Sequence, residues 1–202
     1  MDRPQAELVG TTPAVVHFPV TIPRTAAFAR LNRRGWFSFR SAKVELSAAL
    51  PRIELVWMPY YRVPVRYTSK HGPGTVEIAV EAHGGEARLI ADAQLLPDPP
   101  AEGAVFPPRL SGDEATVIAR REAIRIVMIQ RGRSKPVIEG ADAPTLLRCP
   151  FWVYYYERRR GMIDIKTLNA ATGEKGGVRT KRAVLDALLE QARRTIPEIS
   201  PA

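Results

Sequence analysis

The residues best equipped for chemistry crowd into one stretch, Cys149 to Gly177, which reads CPFWVYYYERRRGMIDIKTLNAATGEKGG. Strand alternation would put Trp152, Tyr154 and Tyr156 on one face and Phe151, Val153 and Tyr155 on the other. Arg158, Arg159 and Arg160 follow at the rim. An exposed Trp-Tyr-Tyr stripe edged by arginine has the composition of a protein-interface hot spot. The same stripe can stack single-stranded bases, or pack inside the molecule. Tyr60 and Tyr61, a second aromatic pair after a proline, join these residues as candidate partner-binding positions.

Other chemistries find less purchase. His17, His71, His83 and Cys149 show no paired-ligand spacing, and neither CxxC nor HExxH occurs. No GxxxxGK[ST] or GxGxxG follows a strand pattern, and no GxSxG is present. The glycine-rich Thr172–Gly177 reads as a turn, and Cys149 as a small apolar strand residue. Glu157 and Asp164, beside the three arginines, read as surface ion pairs. No catalytic residue, metal site or cofactor is expected, and the reading is of a non-enzyme.

These side chains need elements to hold them. Pro4, Pro13, Pro19 and Pro23 suit an extended N-terminal arm over residues 1–22, in which HFPVTIP can form an edge strand. TAAFARLNRRG predicts a short helix capped by Thr25 and stopped by Gly35. WFSFRSAKVEL, IELVWM, YYRVPVRYT and TVEIAVEA are strand-like, with Pro59 and Pro64 marking an edge, a bulge or a strand start. Together they make a first helix-plus-sheet unit over 23–95. Five prolines in residues 96–110 read as a linker. The second unit, 111–202, opens with a helix capped by Ser111 and Glu114, a capping box. Val117, Ile118, Ile124, Val127 and Met128 give it an apolar stripe, with Arg120, Arg121 and Arg125 mainly opposite. The strands LLRCPFWVYYYE and MIDIKTLNA follow. A last helix is capped by Thr180, with Ala183, Leu185, Leu188 and Leu189 apolar.

The two units resemble each other. Each has a proline followed by two aromatics (Pro59-Tyr60-Tyr61; Pro150-Phe151-Trp152). Each then runs through a hairpin to Ala-x-x-Gly-Glu, at Ala82–Glu86 and Ala170–Glu174. The second strands differ in phase, since Ile163 and Ile165 do not align with Val76 and Ile78. One helix on a small sheet cannot bury its apolar face alone, whereas two can. The expected fold is therefore α+β, with two related units of helix packed on antiparallel sheet.

SGDEATVIARREAIRIV followed by CPFWVYYYERRRGMIDIKTLNAATGE resembles a PepSY domain, a cystatin-like helix-on-sheet unit, over residues 111–175. The family's closing D-A-x-T-G-x has its counterpart in Asn169–Glu174, with asparagine where aspartate is usual. The resemblance implies a non-catalytic module of a kind linked to regulating peptidases and often exported.

The chain has 202 residues, 45% of them apolar, and a net charge of +9 carried mostly by arginine. That charge can steer it toward nucleic acid, anionic lipid or an acidic protein. No apolar run is long enough to span a membrane, and the N-terminus lacks a basic-then-apolar leader. A lone cysteine forms no internal disulfide, which fits a cytoplasmic protein. The expected function is a protein-binding or assembly subunit docking through its aromatic and arginine sheet face. The alternative is a nucleic-acid-binding accessory protein. The oligomeric state is left open.

Overall fold

The computed structural model describes residues 15–32, 52–90, 94–97, 102–130, 135–157 and 163–195. The expected strand WFSFRSAKVEL lies outside them, as do Arg158, Arg159 and Arg160. In chain order the elements are β1 (Val15–His17), α1 (Arg24–Leu31), β2 (Arg52–Ser69), β3 (Gly72–Glu81), β4 (Ala87–Leu89), β5 (Ala104–Val105), α2 (Gly112–Gln130), β6 (Val137–Ala141), β7 (Thr145–Glu157), β8 (Ile163–Asn169) and α3 (Val178–Thr195). The fold is α+β, with one mostly antiparallel eight-stranded sheet.

Strands β2 and β7 form its centre, paired from Arg52↔Tyr155 to Arg62↔Thr145. β3 lies beyond β2, and β8 beyond β7. Two strands were expected over 53–68, but β2 runs unbroken through Pro59 and Pro64. The prolines are tolerated because each faces a gap in the neighbouring strand. The Pro59 carbonyl accepts Ala82 N between β5 and β3, and the Pro64 carbonyl accepts Asp142 N between β6 and β7. A ring without an N–H costs least where no carbonyl waits opposite it. Pro150 repeats the arrangement, accepting Ala170 N between β1 and β8.

Both faces are covered. Ile53, Trp152, Tyr154, Leu168 and Ala170 pack under α1 through Ala27 and Leu31. On the same face, Val63, Val65, Val76, Ile78 and Val80 pack under α2. On the opposite face, Val56, Met58, Phe151, Val153 and Ile165 pack against Ala183, Val184 and Ala187 of α3. The helix of each half therefore covers mainly the hairpin of the other half, and a single sheet runs through both. The stretch expected to be a linker is woven into this sheet. β5 pairs with β2, Leu96 bridges His17, and Phe106 is fully buried.

The halves make matching backbone bonds, with donors 88 positions apart and acceptors 88 or 91 positions apart. Phe18 N donates to Arg148 O, and Phe106 N to Trp57 O. Thr21 and Ile22 donate to Ala170 O, and Arg109 and Leu110 donate to Ala82 O. Gly173 N donates to Asn169 O and Gly85 N to Glu81 O, both glycines having positive φ.

The helices depart from expectation in detail. The capping box forms at α2: Glu114 N donates to Ser111 Oγ at 3.2 Å, and Ser111 N to Glu114 Oε2 at 2.8 Å. Those bonds hold the Glu114 carboxyl below its usual range. The buried stripe of α2 is Ala115, Ala119, Ala123, Ile126 and Val127, while Val117 is 69% exposed. Small alanines let the helix axis approach the sheet closely, with Ile126 and Val127 filling the core beside them. α1 starts after Pro23 with no side-chain cap, and ends at Asn32 rather than Gly35. α3 starts before Thr180, which is buried in its first turn, and Leu189 is exposed.

Candidate functional site: an arginine-lined cleft

The aromatic stripe expected to be open is covered by α1. Trp152 Nε1 donates to Ile22 O at 2.7 Å, and Tyr154 OH donates to Asn32 Oδ1 at 2.9 Å. Phe28 meets the Tyr154 ring edge-on at 5.6 Å. Tyr156 is half-buried, stacks on Tyr154 and donates to Asp164 Oδ2 at 3.0 Å. Lys166 Nζ lies over both tyrosine rings and donates to Leu31 O at the end of α1. The correction has a simple cause: alternation separates two faces without saying which one a helix elsewhere in the chain will cover. Tyr60 and Tyr61 are adjacent, so they face opposite ways. Tyr60 points into the α3 side, where burial pushes its phenol well up, and Tyr61 points toward α2. The structure therefore does not bring the expected partner-binding residues together on one open surface.

A different site is open. A cavity of about 770 Å³ lies between α2, α3 and the turn after β3. Arg121, Glu122 and Arg125 of α2 line one wall, Arg179, Arg182 and Asp186 of α3 the other, and Arg109 joins them. The turn forms the floor. Glu81 there is only 4% exposed, and accepts His83 N at 2.7 Å and Gly84 N at 2.5 Å. Burial raises the Glu81 carboxyl, and those two N–H groups only partly offset it. The His83 ring is 3% exposed, with Nδ1 3.9 Å from Glu190 Oε2. Neither ring nitrogen has a hydrogen-bond partner among the described residues.

The charges do not cancel. Glu122 takes Arg125 at 2.8 Å and Arg121 at 3.9 Å, Asp186 takes Arg182 at 3.9 Å, and Glu86 is held by Arg88 from outside the cleft at 3.1 Å. Glu81 is committed to backbone donors. Among the described residues no ion pair engages Arg109 or Arg179. Guanidinium groups converging on a concave, partly enclosed space suit bidentate recognition of carboxylate or phosphate.

Cys149 lies elsewhere, buried against the α3 face, and burial pushes its thiol far above the usual range. Among the described residues no three His, Cys, Asp or Glu side chains gather as metal ligands, and no helix is long and apolar enough to cross a membrane.

The cleft was not foreseen. Its arginines look from the sequence like ordinary solvated helix positions, because α2 and α3 are far apart in the chain. One signal was present. The two turns match closely, yet Glu81 and His83 stand where the other turn has Asn169 and Ala171. Comparison with family models, curated proteins and solved structures finds no match.

Proposed function

We propose that this chain is a non-catalytic binding module built from two related β-α-β-β units, and that it docks an acidic segment of a protein partner in the arginine-lined cleft. The matched hydrogen bonds of the two halves support the duplication. In this reading the helix-then-hairpin order of the PepSY resemblance persists, with the helices exchanged between halves. Among the described residues α3 has no counterpart in the first unit, and neither does the part of α2 after Ala119, since α1 ends at the equivalent Leu31. Those two additions supply the walls of the cleft, while the turn of the first unit and Arg109 supply the rest.

The observation that carries the function is the pair Arg109 and Arg179, which line the cleft and have no ion-pair partner among the described residues. Nucleic acid is less well served. Its backbone needs an extended basic track, commonly with stacking platforms. Here carboxylates interrupt the arginines, and the aromatic stripe lies under α1.

Fluorescence anisotropy with a labelled Asp/Glu-rich peptide tests this, beside a labelled single-stranded oligonucleotide. The peptide should bind, and Arg179→Glu with Arg182→Glu should weaken it at least about tenfold, as expected for losing charge-assisted contacts. Equal peptide binding by that variant and the parent would refute the reading. Preferential oligonucleotide binding with a steep salt dependence would replace it with the nucleic-acid alternative.

A further inference from the structure

Helix α2 carries apolar side chains on its outer face as well as on the buried one. At 3.6 residues per turn, Val117, Arg121, Ile124 and Met128 fall within about 60° of one another, opposite the buried alanine stripe. Val117 is 69% exposed and Ile129 is 71% exposed. Arg121, Ile124, Arg125, Met128 and Ile129 line a groove of about 560 Å³. Contiguous apolar surface rimmed by charge on the outside of a helix marks a contact surface. Arg121 and Arg125 line this groove and the arginine cleft alike, so the two surfaces are continuous.

We infer that the outer face of α2 binds an amphipathic helical segment of the protein partner. The segment's apolar side lies on Ile124, Met128 and Ile129. Its carboxylates reach Arg121, Arg125 and the cleft beyond. This deepens the proposed function and rests on it. Charge complementarity selects the occupant. Two copies of α2 face to face would oppose arginine to arginine, which disfavours self-association through this surface. A nucleic acid gains little from an aliphatic groove. An apolar face with flanking acid satisfies both features, in the helix-in-groove manner.

The test uses the full chain and two labelled peptides of identical Leu, Glu and Ala composition. One places Leu at i, i+3, i+4 and i+7, and the other is scrambled so that no apolar face forms. The patterned peptide should bind at least about tenfold more tightly, the value expected for seating one or two aliphatic side chains. Ile129→Glu, at an exposed position that leaves the core intact, should abolish that advantage. Ile124→Ser with Met128→Ser should do the same, with circular dichroism checking the fold. Equal binding of the two peptides, or no effect of these variants, overturns the inference. If Arg179→Glu with Arg182→Glu still abolishes binding of both peptides, the cleft reading survives while this one falls. Loss of binding by neither set of variants removes both. A concentration-dependent dimer dissolved by Ile129→Glu, or binding to anionic vesicles in place of peptide, also overturns it.

Discussion

Asp164 is nearly buried between β7 and α3, held by the Lys181 ammonium, the Tyr156 hydroxyl and the Ile165 N–H. Burial alone would raise its carboxyl, but those donors outweigh burial and hold it below its usual value. A depressed folded pKa adds stability above the unfolded pKa, and that stability is lost as pH falls through the folded one. Asp164→Asn should therefore cost about 1–3 kcal/mol at pH 7. Its cost should vanish below the lowered folded pKa, at strongly acidic pH, as read by urea unfolding at both ends. At this scale the sequence was partly legible. Alternation correctly split Trp152 and Tyr154 from Phe151, Val153 and Tyr155. It was silent on which side stays open, because α1, more than a hundred residues away, decides that. Likewise the periodicity of α2 suggested one apolar stripe, Val117, Ile118, Ile124, Val127 and Met128, of which Val127 is fully buried, Val117 is exposed and the others are half-buried. Alanine wins the core because it allows the closer approach to the sheet.

The two turns closing the hairpins are the elements on which the fold depends most evenly. Gly85 has φ +71° and Gly173 φ +76°, where an L-residue is strained. A Cβ at Gly85 would lie 3.1 Å from Ile118, and one at Gly173 would lie 2.5 Å from Arg30, the equivalent helix positions. Gly85→Ala and Gly173→Ala should each cost about 1–2 kcal/mol of stability or somewhat more, measurable as similar drops in urea midpoint. These turns were readable as Ala-x-x-Gly-Glu because the backbone demands glycine there. The phase difference between their strands also has a cause. Ile165 of β8 faces α3 and is buried, whereas its counterpart Glu77 of β3 pairs with Arg62 at 2.6 Å at the surface. α3 packs on that face over β8. The short α1 leaves Lys166 free to reach the rings of Tyr154 and Tyr156, where the longer α2 keeps Ile78 buried.

In the whole molecule the halves are not separable. β2 and β7 share eleven paired positions, and each half's helix covers chiefly the other half's hairpin. A half produced alone exposes an apolar sheet face and a helix with nothing to bury it. Fragments 1–100 and 101–202 should therefore be insoluble or unfolded when made separately, and should form a one-to-one complex when co-expressed. Circular dichroism and size-exclusion chromatography would decide it. Two soluble, folded fragments would contradict the interleaved architecture. The sequence conveyed the α+β class and the pairing of helix with hairpin, because both are local. The exchange of helices and the central β2–β7 pairing depend on contacts between residues far apart in the chain, for which no local pattern exists.

Met58 and Cys149 are cross-strand partners at the middle of the β2–β7 pair, under α3. Cys149 is the chain's sole cysteine. That placement gives the protein an internal clock. A thiol reagent can reach Cys149 only when the sheet centre parts, so its modification rate reports cooperative opening rather than fraying at the ends. In native buffer the rate should be suppressed by a factor comparable to the folding equilibrium constant, about 10³ or more for a domain of ordinary stability. Mild urea should accelerate it in step with global unfolding. If a loop motion or departure of α3 alone exposed the thiol, the rate would be insensitive to urea well below the transition.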